Sequence, residues 1–168
     1  MIAVLIGPPG AGKSTVGEML AQRLGVPFAD TDADVEAAAG KPAGDIFIED
    51  GETTFRDLER AAATRALTEH DGVLALGSGA VLDAGVRRLL AGERVVYLSA
   101  GFTAVARRTG IDRPRVVVPG NPRGLLRTML EQRRPVYEEL ASITVDTDDL
   151  APEEIVADLA GQLTGGTP

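Results

Sequence analysis

Residues 7–15 read Gly-Pro-Pro-Gly-Ala-Gly-Lys-Ser-Thr and fit the pattern Gly-x4-Gly-Lys-Ser/Thr. That spacing suits one kind of chemistry, the docking of a nucleoside triphosphate. Gly7, Gly10 and Gly12 let the backbone turn sharply and bring its N–H groups against phosphate oxygens. Those amides, from Gly10 and Ala11 through to Thr15, join a helix N-terminus to make a preformed anion site. Lys13 adds a full positive charge for the β- and γ-phosphates, and the Ser14 hydroxyl can complete a Mg²⁺ shell. The context fits as well, with an apolar run just before the loop and an amphipathic pattern just after it. The loop names a phosphoryl donor but leaves the acceptor open, because ATPases, GTPases and kinases all share it.

Other polar groups are candidates for the acceptor side. Asp30 and Asp32 end an apolar run at i, i+2 spacing, so a strand continuing through them sends both side chains to one face. One carboxylate near Mg²⁺ and one near an acceptor hydroxyl is a division of labour that phosphoryl transfer uses. Asp34 is read as the cap of the helix that follows. Gly77-Ser78-Gly79 also follows an apolar run, and such a turn exposes backbone amides to an anion or a close ligand. Arg56, Arg113, Arg115, Arg133 and Arg134 are suited to bidentate contact with carboxylate or phosphate, although each alone reads as a solvated surface residue. His70 is the only histidine and reads as a surface residue at a helix end, so no Ser-His-Asp or histidine metal set can be built.

These groups need a scaffold, and the chain supplies one in its periodicity. Short apolar runs at 2–6, 26–29, 73–76, 94–98 and 143–146 read as strands. They alternate with helical patterns at 14–24, 53–69, 84–90, 103–108, 123–140 and 152–163, with short helical pieces at 34–39 and 46–48. Strand–helix alternation of this kind is the pattern of a parallel sheet covered by helices on both faces. Gly25 suits the end of the first helix, and Pro152 followed by Glu153 and Glu154 suits the start of the last. Residues 109–122 contain several Pro and Gly breaks and no period, which marks a loop long enough to be a lid. The whole chain, 1–168, reads as a single domain, with residues 32–60 as an insertion.

Composition sets bounds around this. Of 168 residues, 44% are apolar and 25% charged, enough for a packed core in a globular domain. Seventeen Lys and Arg against 25 Asp and Glu give a net charge of −8, which disfavours nucleic acid as a partner. A small anion remains accessible, because local arginines decide that binding. With no cysteine, disulfides and Cys-ligated metals are excluded. No run approaches the roughly 20 apolar residues of a membrane span, so a soluble cytoplasmic protein is expected.

In order and spacing, the phosphate loop, Asp30-Thr31-Asp32, Phe55-Arg56, the Gly-x-Gly-Ala-Val turn, the Arg-rich segment and Arg133-Arg134-Pro135-Val136-Tyr137 resemble the shikimate kinase family. The resemblance extends from residue 2 to about residue 163. It implies a three-layer α/β P-loop fold, with a five-stranded parallel sheet, a lid at 109–122 and a substrate-binding insertion at 32–60. It also implies transfer of the ATP γ-phosphate to the 3-hydroxyl of shikimate, with Mg²⁺, by a cytoplasmic monomer. Asp32 would match the residue that holds and deprotonates the acceptor hydroxyl. Arg56 and Arg133 would match the pair that grips the carboxylate, while Gly77, Ser78 and Gly79 would match the substrate-contacting turn. Ser14 and Asp30 would match the Mg²⁺ positions, Asp30 through water. Arg108 and Pro152 would match residues around the adenine.

The sequence departs from the family in two places. The family's turn has three consecutive glycines where this chain has Ser78 in the middle, which is harmless if φ there is negative and strained if it is positive. In the lid, Arg113 keeps an Arg-Pro pair while Arg115 keeps the spacing and the apolar follow-on; spacing favours Arg115 as the catalytic arginine beside Lys13 and Asp32. Two other readings stand beside this one. A gluconate- or adenylate-type kinase shares the loop, but the chain has no Asp-Gly-Phe-Pro-Arg stretch after its third strand. A nucleotide-binding switch of the GTPase type would carry Asn-Lys-x-Asp, which is also absent, and would leave Asp32, Arg56 and Arg133 unexplained.

Overall fold

The computed structural model describes residues 1–111 and 121–165. Five strands, β1 (Ala3–Ile6), β2 (Phe28–Asp30), β3 (Val73–Ala75), β4 (Val95–Ser99) and β5 (Ile143–Asp146), form one sheet. Their lateral order is β2-β3-β1-β4-β5, and every pairing is parallel. Parallel neighbours need crossover connections, and helices supply them. These are α1 (Lys13–Leu24), α2 (Thr31–Ala39), α3 (Ala43–Glu49), α4 (Glu52–Glu69), α5 (Ala84–Leu90), α6 (Phe102–Thr109), α7 (Pro122–Leu140) and α8 (Pro152–Thr164). One 3-10 turn, Ala80–Leu82, follows β3.

β1 explains the three layers. All four of its residues are buried, as expected of a central parallel strand covered on both faces. Alternation sends Ala3 and Leu5 into a core with Val16, Leu20, Val105 and Leu159, between the sheet and α1, α6 and α8. Val4 and Ile6 enter the opposite core with Ala63, Ala66, Val86 and Tyr137, under α4, α5 and α7. A third, smaller cluster joins Val35, Ile46 and Ala62 with Phe55 and Leu58, and ties α2 and α3 to α4. Residues 32–60, expected as an insertion, hold most of α2, all of α3 and the first half of α4, with an apolar contact of their own.

Several boundaries differ from the sequence expectation. β2 runs to Asp30 and stops there, because the Asp30 side chain accepts a hydrogen bond from the Asp32 N–H (2.9 Å) and caps α2. Asp32 is thus in the first turn of a helix and not on a continuing strand, and Asp30, rather than Asp34, is the cap. The long helix α4 starts without a side-chain cap, at Gly51 with φ 89°, and not at a threonine. In the segment expected as a loop, Thr109 closes α6 and Pro122 opens α7, while residues 112–120, with Arg113 and Arg115, lie outside the described residues. At α8, Pro152 occupies the first turn and the Glu154 carboxylate accepts from the Ala151 N–H (2.9 Å), as the acidic start anticipated. Among the described residues, no helix is long and apolar enough to cross a membrane.

Candidate active site

In an open parallel sheet, ligands bind beyond the carboxyl ends of the strands, where the strand order reverses. Here the C-terminal ends of β2, β3 and β1 lie side by side and carry Asp30, Gly77–Gly79 and the phosphate loop respectively. The next ends along, those of β4 and β5, lead to α6 and to Thr147. The order of strands therefore places an acidic pair, a glycine turn and a phosphate cradle in one row.

The cradle is built by backbone constraint. Gly10 and Gly12 have φ of 74° and 93°, conformations that side chains with a Cβ rarely adopt. At Gly7 a Cβ would collide with the Leu98 carbonyl oxygen of β4. Gly12 caps α1 with no side-chain acceptor, so the first-turn amides of Lys13, Ser14 and Thr15 have no intrahelical partner and point to the loop. Lys13 is only 8% exposed, and its Nζ donates to the carbonyls of Gly7 (3.0 Å) and Pro8 (3.2 Å). Burial lowers its pKa, and the charge of Asp32 is the largest influence in the opposite direction.

Next to the cradle, the Ser14 hydroxyl donates to Asp30 Oδ2 at 2.5 Å, joining the start of α1 to the end of β2. The other Asp30 oxygen holds the Asp32 amide, which fixes where Asp32 stands. The Asp32 carboxyl opens to the crevice, yet the dense walls around it desolvate it and raise its pKa, against the pull of Lys13. Lys13 and Asp32 are thus near enough for each to bias the other's charge, and such mutually perturbed groups mark a candidate site.

The glycine turn forms the far wall. No non-glycine residue among those described has positive φ, so Ser78 is unstrained and its presence is accommodated. Gly77 and Gly79 are absent from the positive-φ glycines, and close approach explains them instead. A Cβ on Gly77 would lie 2.7 Å from Asp32 Oδ1; one on Gly79 would overlap Arg56 Nη1 and come within 2.8 Å and 2.9 Å of the two Glu59 oxygens. The turn is held by Thr31, whose hydroxyl accepts from the Gly77 N–H (2.8 Å), and by Tyr137, whose hydroxyl donates to the Ser78 carbonyl (2.8 Å). Arg133 Nη1 donates to Ser78 Oγ at 3.3 Å.

Arg56 is aimed by a residue that the sequence reading did not single out. Glu59, 3% exposed, accepts from Arg56 Nη1 at 2.6 Å and from the Gly79 N–H at 3.0 Å. The signal available was the i, i+3 spacing of Arg56 and Glu59, which on an exposed helix face means little. Tyr137, 1% exposed and stacked on Tyr97 at 5.2 Å, was read only as part of the Arg133 motif. Burial pushes its phenol up to about 12.

On the other side of the cradle, Arg108 and Pro152 line a cavity of about 370 Å³ with Gly10, Thr15, Thr147 and Leu150. Arg108 donates to the Gly10 carbonyl (3.3 Å), to the Thr147 hydroxyl (2.9 Å) and to the Thr147 carbonyl. Thr147 was also not anticipated. Of the residues expected at a site, Lys13, Ser14, Asp30, Asp32, Arg56, Ser78 and Arg133 thus share one connected crevice, with Arg108 and Pro152 flanking it.

Comparison with known proteins agrees with this arrangement. The family model described as "Shikimate kinase" matches residues 9–164. A shikimate kinase of Thermobifida fusca is 52% identical over 162 residues, covering 96% of this chain and 94% of the relative. One of Streptomyces coelicolor is 50% identical over 154 residues, covering 92% of this chain and 90% of the relative. The structure of an Acinetobacter baumannii shikimate kinase in complex with shikimate superposes with a TM-score of 0.88 at 34% identity, covering 98% of this chain and 93% of that one. Similarity of this extent, spanning the cradle, the acidic pair, the turn and α7, leaves one assignment: the chain belongs to the shikimate kinase family.

Proposed function

We propose that the protein transfers the γ-phosphate of ATP to the 3-hydroxyl of shikimate, giving shikimate 3-phosphate and ADP on the route to aromatic amino acids. The observation that carries this reading is Asp32, lodged between the phosphate-loop Lys13 and a turn flanked by Arg56 and Arg133. A hydroxylated carboxylic acid gripped by the two guanidinium groups presents a hydroxyl to Asp32. The hydroxyl oxygen attacks the γ-phosphorus as its proton passes to the Asp32 carboxylate. The bond from the γ-phosphorus to the bridging oxygen breaks, and ADP departs with that electron pair. Lys13 and the loop amides meet the negative charge on the β- and γ-phosphates.

The remaining roles belong to the same proposal. Ser14 and Asp30 offer a hydroxyl and a carboxylate 2.5 Å apart beside the cradle, a hard oxygen set that fits Mg²⁺. Magnesium usually relies on one or two protein carboxylates plus phosphates and water, and when bound it neutralises phosphate charge. Arg108 and Pro152 border the cavity suited to the adenine, Arg115 in preference to Arg113 meets the transferring phosphoryl group, and residues 32–60 and 109–122 serve as substrate-binding insertion and lid. The enzyme works as a cytoplasmic monomer.

The test is a coupled ADP-release assay with ATP, Mg²⁺ and a panel of shikimate, gluconate and AMP. Shikimate-dependent ADP release, with the phosphate located on the 3-hydroxyl by NMR, is expected. Turnover of gluconate or AMP without turnover of shikimate would sink the reading, and sedimentation at a dimer's mass would remove the monomer.

A further inference from the structure

Three residues make the glycine turn, and only the middle one has room for a side chain. At Gly77 and Gly79 a Cβ would run into Asp32, Arg56 and Glu59. At Ser78 the backbone tolerates a Cβ, and the hydroxyl it carries meets Arg133 Nη1 at 3.3 Å. Four residues along α7, the Tyr137 hydroxyl donates to the Ser78 carbonyl at 2.8 Å. Arg133 and Tyr137 thus both fasten Ser78 to α7, one at its hydroxyl and one at its carbonyl.

We infer that Ser78 is a positioning residue: its hydroxyl holds the Arg133 guanidinium in place for the substrate carboxylate. This rests on the function proposed above, in which Arg133 grips that carboxylate. An arginine side chain carries several rotatable bonds, and a free guanidinium must be ordered at the moment of binding. The serine hydroxyl gives that guanidinium a neutral acceptor, so part of the ordering is complete before the substrate arrives. With a glycine at this position the guanidinium would have lost that anchor. The hydroxyl touches Arg133 and has no contact with the phosphate cradle, so its effect falls on the acceptor and not on ATP.

The experiment is a double-mutant cycle with Ser78→Ala and Arg133→Ala, read as kcat/KM for shikimate from initial rates at sub-saturating shikimate, with KM for ATP and Tm measured alongside. Loss of one long, 3.3 Å hydrogen bond that reaches the substrate only through Arg133 is weighted as an ordinary net hydrogen bond, which predicts a fall in kcat/KM for shikimate of about 3- to 10-fold in Ser78→Ala, with KM for ATP within about twofold of its original value. In the Arg133→Ala background the same substitution changes kcat/KM by less than about twofold, and Ser78→Thr, which keeps the hydroxyl, recovers most of the loss. An equal loss with and without Arg133, no loss at all, or a parallel fall in ATP affinity and Tm would each overturn the inference while leaving shikimate turnover intact. Absence of shikimate turnover in the unsubstituted protein would instead overturn the functional reading beneath it.

Discussion

Gly79→Ala is the sharpest perturbation the site offers, because φ of −93° at Gly79 is open to any residue and only contacts are changed. The added Cβ overlaps Arg56 Nη1 and falls 2.8 Å and 2.9 Å from the Glu59 carboxylate oxygens. All three atoms end flexible side chains, so the backbone can stay where it is while Arg56 and Glu59 part. Arg56 is 35% exposed and can swing to solvent, whereas Glu59 is buried and keeps only its bond to the Gly79 amide. The stability loss therefore stays at the low end for overpacking, about 1 kcal/mol. For a chain of this length that is a fall in Tm of about 2–4 °C.

The kinetic consequence is larger. In the proposed function Arg56 grips the substrate carboxylate, so displacing it removes a hydrogen bond between charged groups, worth about 1.5–3 kcal/mol. That predicts a rise in KM for shikimate of about 10- to 150-fold, with KM for ATP nearly unchanged. The measurements are thermal unfolding and steady-state kinetics with each substrate varied in turn. A Gly79→Ala protein with unaltered KM for shikimate would refute the claim that the glycine exists to admit the Arg56–Glu59 pair. So would a Tm loss above 10 °C, which would mean that the turn itself had collapsed.

Lys13→Met removes a buried ammonium whose charge burial disfavours, so kcat falls by about 10²-fold or more while Tm of the free protein does not drop; a large Tm loss would show Lys13 to be structural. Asp32 must be ionised to take a proton, and its pKa is raised, so the acid limb of kcat/KM for shikimate lies above the ordinary 3.8 of an aspartate and vanishes with most activity in Asp32→Asn. Tyr137 ionises near 12 in the folded protein and near 10 when unfolded. Over that window the unfolded state holds fewer protons, so stability falls as pH rises, by about 1.4 kcal/mol per unit. Tyr137→Phe flattens that slope in alkaline denaturation, and with two tyrosines and no tryptophan in the chain, phenolate absorbance reports the titration directly.

What the sequence made legible was whatever rests on local chemistry. The loop at residues 7–15 requires its glycines for turns that no other residue makes readily, and Gly10 and Gly12 adopt them. The strand–helix alternation gave the three layers, since β1 is buried on both faces and reads as an unbroken apolar run. Asp30 was less legible. An aspartate at a strand end can continue the strand or fold its carboxylate back onto the amide two residues on, and only the second makes the helix cap observed. The shape of Asp32's surroundings follows from that choice. Glu59 was invisible for a different reason: its partners are a neighbour on the same helix and an amide 20 residues away after β3, and only the packing of α4 against the turn buries it.

The order β2-β3-β1-β4-β5 makes the donor and acceptor halves of the site physically separable. From β1 toward β2 lie the Gly77–Gly79 turn and Asp32, with Arg56, Glu59 and Arg133 closing around them; from β1 toward β5 lie Arg108, Thr147 and Pro152 around a separate cavity. The phosphate loop stands between, bonded to one side through Ser14 and Asp30 and to the other through Gly10 and Arg108. A phosphoryl group crossing from one half to the other travels across the N-terminus of α1, the one place where backbone amides, Lys13 and Asp32 converge. Changes on the acceptor side should then act on shikimate and spare ATP, which is why Ser78→Ala and Gly79→Ala are informative together. They probe neighbouring positions of one turn, the first removing an anchor from Arg133 and the second displacing Arg56, and in the proposed function both guanidinium groups answer to the same carboxylate.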